Sequence, residues 1–394
     1  MRKNLYFKIL TKQKNEGLYL LDWICWHQAI GISSIHIVSN DCTDHSTTLL
    51  EAISKEVSNI HHINVTDEPL NSRSVGQRTT SKINEIVLNK RDNFAITMDV
   101  DEYICFRSPN ITDISSLKFA KNKSYHLPWL NCLPKNTFNY SEAPAYQRST
   151  KAITKKNDAF PYLNGYSGKQ LRYNHEGVTL ENFHHFSVEG KEIERGEKSG
   201  IYLKHCVTNS LDEFMLRGER GESATFARKG ENPAAREASS HKYAIDLFLM
   251  YISQETTPNI LPNKAIADKA SEVKADLLSN PKIKAAQDKI DAYYKRKFAR
   301  IKKSYIPSIF RELNIQHIDH LKTTELEKFN KEFFTSKSKK PHDFYVLMSL
   351  ANLFEENHEK ARHYATEGLM TYSSFKLLLL AQSSIRQNPY YAVP

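Results

Sequence analysis

Phe94-Ala95-Ile96-Thr97-Met98-Asp99-Val100-Asp101-Glu102 is the stretch on which the fold is decided. Phe94 to Met98 is an apolar run the length of one buried strand, and it leads directly into two aspartates at i and i+2. Toward the start of the chain the same strand signal recurs between helical ones. Leu5 to Leu10 is a short apolar run closed by the polar turn Thr11 to Gly17. Leu18, Leu21, Ile24 and Gln28 then keep helical spacing up to Gly31, a residue suited to end a helix. Ile35, Ile37 and Val38 predict a second strand; after the turn Ser39 to Thr43, Asp44 is placed to cap a helix through Ile53. His61 to Val65 predicts a third strand and Val75 to Leu88 a third helix, which makes Phe94 to Met98 the fourth strand. Strands alternating with helices in this way predict a parallel, Rossmann-like α/β sheet. Ligands of such sheets bind beyond the carboxyl ends of the strands, where both the Asn15-Glu16 turn and the Asp99 to Glu102 segment fall.

Downstream, the pattern changes. From about residue 110 to 240 the chain is rich in aromatic, histidine and turn residues, and reads as sheet extensions and loops that carry substrate contacts. From about Pro258 it turns helical: Ile283, Ala286, Ile290, Tyr294, Phe298, Ile301 and Tyr305 recur at helical spacing beneath Lys295, Arg296, Lys297, Arg300, Lys302 and Lys303. His342 to Gln387 reads as three short helices broken near Asn357 and Ser373-Ser374, too few for a repeat array. At 394 residues the chain exceeds what one core usually supports. The expected division is an α/β domain over residues 1–250 and an α-helical domain over 251–394, with short helical hairpins near its end.

A hydrophobic share of 40% with 25% charged residues is ordinary for a globular protein and argues against disorder. No run of about 18 apolar residues occurs, and Met1 to Leu10 is too short and mixed for a signal peptide, so a cytoplasmic location is expected. Cys25, Cys42, Cys105, Cys132 and Cys206 are scattered without CxxC spacing and read as free thiols. The net charge of +10 favours anionic partners, whether nucleotides, nucleic acid or an anionic membrane face, and charge alone does not choose among them. The cationic helix around Lys295 to Lys303 suits peripheral contact with such a membrane, or is the solvated face of an ordinary packed helix. No nucleic-acid-binding motif is present, and nucleic acid is not expected as a partner.

Asp99 and Asp101 carry the strongest chemical signal. Two carboxylates just past a buried strand offer hard oxygen ligands, which Mg²⁺ and Mn²⁺ prefer and can share with phosphate oxygens. On its own such a pair is also compatible with a plain turn. Its position after the fourth strand of a βα array favours metal.

Around these residues the sequence resembles a known family. Lys14-Asn15-Glu16-Gly17, Leu20-Leu21-Asp22-Trp23, His27 and Ala29-Ile30-Gly31 are similar to the opening of the bacterial glycosyltransferase family 2-like group, itself related to the family 92 glycosyltransferases. Ser39-Asn40-Asp41-Cys42-Thr43-Asp44 looks like the group's second turn, and Met98-Asp99-Val100-Asp101-Glu102-Tyr103 resembles its DxD segment. Gln147-Arg148-Ser149-Thr150, Gly168-Lys169, His184-His185 and the stretch from His205 through Glu213-Phe214 to Arg217 and Arg220-Gly221 follow in the group's order. The resemblance spans about residues 4 to 225. The sequence departs from the group at Ser39, Cys206, Asn209 and Trp129 to Pro134, the last on the acceptor side.

The resemblance implies a GT-A fold and transfer of a sugar from a nucleotide-sugar donor to a saccharide or lipid-linked acceptor. It also implies an inverting outcome and a place in bacterial surface polysaccharide synthesis, capsule or lipopolysaccharide. Asp99, Asp101 and His205 would then hold Mn²⁺ or Mg²⁺. Asn15, Glu16, Asn40, Asp41, Arg148, Lys169, Arg217 and Arg220 would meet the donor. Glu102, Glu181, His184 and His185 are eligible as the base that takes the acceptor's proton; of the adjacent histidines, only one would face the site in a strand. Each residue also has a structural reading: His205 as a packed loop histidine, the basic residues as surface charges. Asp44 reads first as a helix cap, and Glu213 as the partner of Ser210 in a capping box. Two other classes compete. A nucleotidyltransferase also uses paired aspartates and metal, but carries a glycine-rich phosphate loop where Thr11 to Gly17 holds one glycine. A non-enzymatic adaptor would combine a degenerate transferase domain with helices that bind a partner.

Overall fold

The computed structural model describes residues 6–66, 81–86, 93–120, 123–133, 140–148, 150–152, 168–173, 200–206 and 261–305, with short pieces between 180 and 216 and between 345 and 381. The apolar run at the start forms β1 (Tyr6–Gln13), and the helical spacing after it forms α1 (Gly17–Ala29). Gly31 ends α1 at φ 82°, with Gly31 N–H donating to Gln28 O at 3.0 Å and Ile32 N–H to His27 O at 3.1 Å. This is a Schellman ending, and a side chain at Gly31 would strike the Asp113 carboxylate. Then follow β2 (Ser34–Ser39), α2 (Ser46–Glu56), β3 (Ile60–Asn64), a helix at 81–86 and β4 (Asn93–Thr97). The rest of the helix expected over Val75 to Leu88 lies outside the described residues.

β1 to β4 pair in parallel in the order β3-β2-β1-β4. The chain steps outward from β1 to β3, then lays β4 on the other side of β1. That reversal makes the carboxyl ends of β1 and β4 a topological switch point, the place where α/β sheets bind ligands. Beyond β4, where the sequence reads as sheet extensions and loops, the sheet becomes mixed. The strands that follow are β5 (Glu102–Phe106), β6 (Ser124–Leu133), β7 (Lys151–Ala152), β8 (Gly168–Tyr173), β9 (Leu180–Asn182), β10 (His185–Phe186), β11 (Ile193–Arg195) and β12 (Ile201–His205). The sheet continues as β4-β8-β6-β12-β5, with β8 antiparallel to β4 and β6 and β5 antiparallel to β12; β7 and β11 also pair with β6, and β9 and β10 form a separate two-stranded sheet. A parallel neighbour needs a crossover, usually a helix, whereas antiparallel strands do not. Residues 110 to 200 carry no long helical period to provide one, and the sheet becomes mixed.

The described residues fall into two compact units, one of Met1–Cys132, Ala143–Val207 and Thr257–Tyr294, the other of Leu133–Glu142, Thr208–Thr256 and Lys295–Pro394. In the first, α1 is enclosed on several sides: Leu20, Leu21, Trp23, Ile24, Trp26 and Ala29 are all buried. It packs on β5 and on α3 (Lys264–Ser279), where Lys274 Nζ lies 2.8 Å from Asp22 Oδ1. The helix α4 (Pro281–Tyr305) begins in this unit, and its stripe Ile283, Ala286, Ile290, Tyr294 and Phe298 is buried as its spacing predicts. Lys295, Arg296 and Arg300 are exposed and Lys297 is half-buried.

In the second unit, Ser210 and Glu213 form a capping box, with Glu213 N–H donating to Ser210 Oγ at 3.2 Å and that hydroxyl donating to Glu213 Oε2 at 2.6 Å. Further along, α5 (His358–Thr371) starts from an Asn357 cap. All five cysteines are free thiols. No helix among the described residues is long and apolar enough to cross a membrane.

Candidate functional site

The turn after β4 is held from three directions. Met98 N–H continues the β1–β4 pairing by donating to Leu10 O at 3.0 Å. Inside the turn, Glu102 N–H donates to Asp99 O at 3.1 Å, and Asp99 N–H donates to Glu102 Oε2 at 2.8 Å. From α1, the indole N–H groups of Trp23 and Trp26 donate to the carbonyls of Glu102 (2.8 Å) and Ile104 (2.9 Å). These carbonyls lie on β5, at the sheet's end, and the indoles occupy backbone acceptors that an edge strand would otherwise present. The turn is locked, with Glu102 enclosed and Asp99 and Asp101 facing outward at 35% and 15% side-chain exposure.

The register of the neighbouring strands adds the next layer. His205 on β12 stands opposite Glu102 on one side and Asn131 of β6 on the other. His205 Nδ1 is 2.9 Å from Asn131 Oδ1, and Nε2 is 3.6 Å from Asp101 Oδ1. The Trp129 ring lies against the imidazole with centroids 4.9 Å apart, and Cys206 N–H donates to Asp101 O at 2.8 Å. β8 brings in Lys169. It can approach this closely because residue 168 is glycine: a Cβ there would run into the Leu127 carbonyl of β6. Lys169 Nζ is 2.9 Å from Asp99 Oδ2, 3.7 Å from Glu102 Oε1 and 5.7 Å from the Trp129 ring centre.

Electrostatics follow from that geometry. Burial works against the Lys169 charge, but Glu102 and Asp99 outweigh it and raise its pKa above the ordinary lysine value. Burial pushes the Glu102 carboxyl up, and Lys169 only partly offsets this. The Lys169 ammonium group thus faces the carboxyl groups of Asp99, Asp101 and Glu102.

Among the described residues no group of three or more His, Cys, Asp and Glu side chains is arranged to hold a metal ion. A pair is: the Asp101 carboxylate and the His205 imidazole, with Asn131 on the far ring nitrogen. Magnesium-type ions commonly take one or two carboxylates from the protein and complete their shell with phosphate oxygens and water. The donor set at Asp101 and His205 fits such an ion, whereas Asp99 is engaged by Lys169.

The loops after β1 and β2 stand at the carboxyl ends of the neighbouring parallel strands. Three non-glycine residues there have left-handed backbone: Asn15 (φ 53°), Asp41 (φ 47°) and His45 (φ 67°). Such conformations are costly and persist where surrounding bonds enforce them, often beside ligands. Here Asn15 Oδ1 accepts from Thr43 N–H at 2.6 Å, and Asp41 N–H donates to Thr66 Oγ1 at 2.8 Å. Buried Asp44 receives Gly17 N–H at 2.8 Å, Ser46 N–H at 3.0 Å and the Tyr294 hydroxyl at 2.6 Å. It caps α1 and α2 together and tethers α4. Glu16 N–H faces Gln13 Oε1 at 3.4 Å, and Asn40 Nδ2 faces Asp41 Oδ2 at 3.4 Å.

Arg148 is within electrostatic reach of Asp22 and Tyr103. Glu181 is on β9 and His185 on β10; the side chains of both, and the whole of His184, Arg217 and Arg220, lie outside the described residues. Sequence reasoning missed Asn131, Trp129, Gln13 and Tyr294, which reach the site only through strand register and packing. The chain matches no family model, and no curated protein matches it.

Proposed function

We propose that this chain is a metal-dependent glycosyltransferase with a GT-A-type domain. The observation that carries the reading is the grouping of Asp99, Asp101 and Glu102 just past the carboxyl end of β4, with His205 Nε2 facing Asp101 Oδ1 at 3.6 Å. The ordered resemblance over residues 4 to 225 supports it independently. Asp101 and His205 would hold Mn²⁺ or Mg²⁺, and the chemistry an ion supplies there is neutralisation of the departing diphosphate. Lys169 pairs with Asp99 and brings its positive charge to the same turn. The Asn15-Glu16 and Asn40-Asp41 loops supply polar edges for the nucleoside. Glu102 is fully enclosed and braces the turn, which leaves Glu181, His184 and His185 as candidates for the base that takes the acceptor's proton.

The proposed acceptor is a saccharide or lipid-linked glycan of a bacterial surface polysaccharide, and the proposed outcome is inversion. The proposed location is cytoplasmic, at the inner face of the cell membrane, with the cationic face of α4 toward anionic lipid. A panel of UDP-, GDP- and CMP-sugars tests the reading, each with Mn²⁺ and with chelator. Metal-dependent sugar release or transfer is the expected result. Pyrophosphate-linked products would identify a nucleotidyltransferase instead, and inertness toward every donor would favour a binding role.

A further inference from the structure

Resting on the reading of a nucleotide donor, we propose that Tyr294 of α4 is a positioning residue whose hydroxyl holds the Asn15 turn in the shape that receives the nucleoside. A helix beyond the stretch that resembles glycosyltransferases would then complete the donor site. The backbone of the turn is the starting point. Asn15 has φ 53°, a left-handed conformation that persists in a non-glycine residue where its surroundings enforce it. Two bonds do so. The Asn15 carbonyl lies 2.9 Å from the Tyr294 hydroxyl, and Asn15 Oδ1 accepts from Thr43 N–H at 2.6 Å. The first arrives from α4, the second from the loop after β2.

Tyr294 is buried, and its one hydroxyl hydrogen is shared between two acceptors, Asn15 O at 2.9 Å and Asp44 Oδ2 at 2.6 Å. The same Asp44 oxygen accepts Gly17 N–H at 2.8 Å, and its other oxygen accepts Ser46 N–H at 3.0 Å. One phenol thus ties the turn after β1 to the residue that caps both α1 and α2. The close approach is built into the packing. A Cβ on Gly17 would lie 2.9 Å from Asp44 Oδ2 and 3.1 Å from Cδ1 of Ile290, one helical turn before Tyr294. A turn ordered in advance does not have to be ordered by its ligand, and the difference appears as affinity. The turn after β4 is held through Trp23, Trp26 and Lys169 instead, so loss of the Tyr294 hydroxyl should be felt in nucleotide binding.

The test uses the full chain with UDP, GDP and CMP, each with Mn²⁺, by titration calorimetry well below the melting temperature, together with hydrogen exchange read by mass spectrometry. Tyr294→Phe keeps the ring and removes only the hydroxyl. It is expected to weaken the nucleotide that wild type binds by about 10-fold, as loss of a hydrogen bond to a charged group does. Exchange is expected to quicken in residues 13–17 and 40–46 and to stay as in wild type along β4. A purely structural hydroxyl would lower the melting temperature and leave affinity unchanged. Wild-type affinity in Tyr294→Phe therefore overturns the inference, as does exchange that quickens equally along β4. Should Tyr294→Phe not fold, exchange in the wild type decides. Bound nucleotide is expected to slow it in residues 13–17 and 290–296 alike, and no slowing in either segment overturns the inference. The two levels fail differently: a wild type that binds none of the three nucleotides defeats the donor reading itself, whereas equal binding by wild type and Tyr294→Phe defeats only the role of Tyr294.

Discussion

Lys169 has no exposed side-chain surface and meets Asp99 and Glu102 from a strand that follows them by some seventy residues in sequence. Removing one member of a buried charged pair leaves the others without compensation, at a typical cost of about 3–5 kcal/mol. Because Asp99 is partly exposed, Lys169→Met should fall at the low end, about 3 kcal/mol in urea denaturation. A loss under about 1 kcal/mol would mean that the ammonium group does not sustain the turn. At this scale the sequence was half legible. Asp99 and Asp101 announced themselves because they are adjacent to each other and to a strand. Lys169 stood out only as a basic residue in a family-like dipeptide, and its commitment to Asp99 carried no local signal. Asn131 sits in the stretch where the chain departs from the family pattern, and its pairing with His205 depends on strand register.

Among the elements, α1 does most to place the site. Its two indoles fix the backbone of β5, so Trp23→Phe should leave the Glu102 carbonyl buried without its donor while keeping an aromatic ring in place. A stability loss of about 1–3 kcal/mol is expected, measured by urea midpoint, with loss of metal affinity if the turn loosens. His27, on the same helix, gives a pH signature. Its ring donates from Nδ1 to Trp23 O at 2.8 Å and receives Ile104 N–H at 3.4 Å on Nε2. Burial lowers its pKa from the ordinary 6.5 to about 3. Between those values the unfolded chain holds a proton that the native one refuses. Stability therefore falls as pH is lowered through this window, by up to about 1.4 kcal/mol per unit. His27→Gln should flatten that slope in denaturation curves taken from pH 7 down to 5; an unchanged slope would assign it to other groups. The elements themselves were legible as far as β4, where alternating periods and the Gly31 ending left one reading. From β5 onward, antiparallel partners drawn from distant stretches made the sheet mixed, and no local period records which strand pairs with which.

Across the whole molecule, the net charge of +10 and the exposed Lys295, Arg296 and Arg300 define an expected behaviour toward membranes. The protein should bind vesicles containing phosphatidylglycerol, bind neutral ones poorly, and let go as salt rises. Reversing those three charges to glutamate should weaken vesicle binding at least about 10-fold in flotation assays, since each basic residue near such a surface contributes about 1 kcal/mol. Equal binding to neutral vesicles would remove the membrane from the account. The helix Pro281–Tyr305 was legible in its spacing, but the bonds of Tyr294 to Asp44 and Asn15 were not, since they join positions some 250 residues apart or more. The most direct test of the central claim is anomalous scattering from crystals soaked in Mn²⁺ with a nucleoside diphosphate. The account predicts a manganese peak bonded to Asp101 and to Nε2 of His205, with the diphosphate beside it. A diphosphate bound there without manganese, or manganese held at another place, would contradict it.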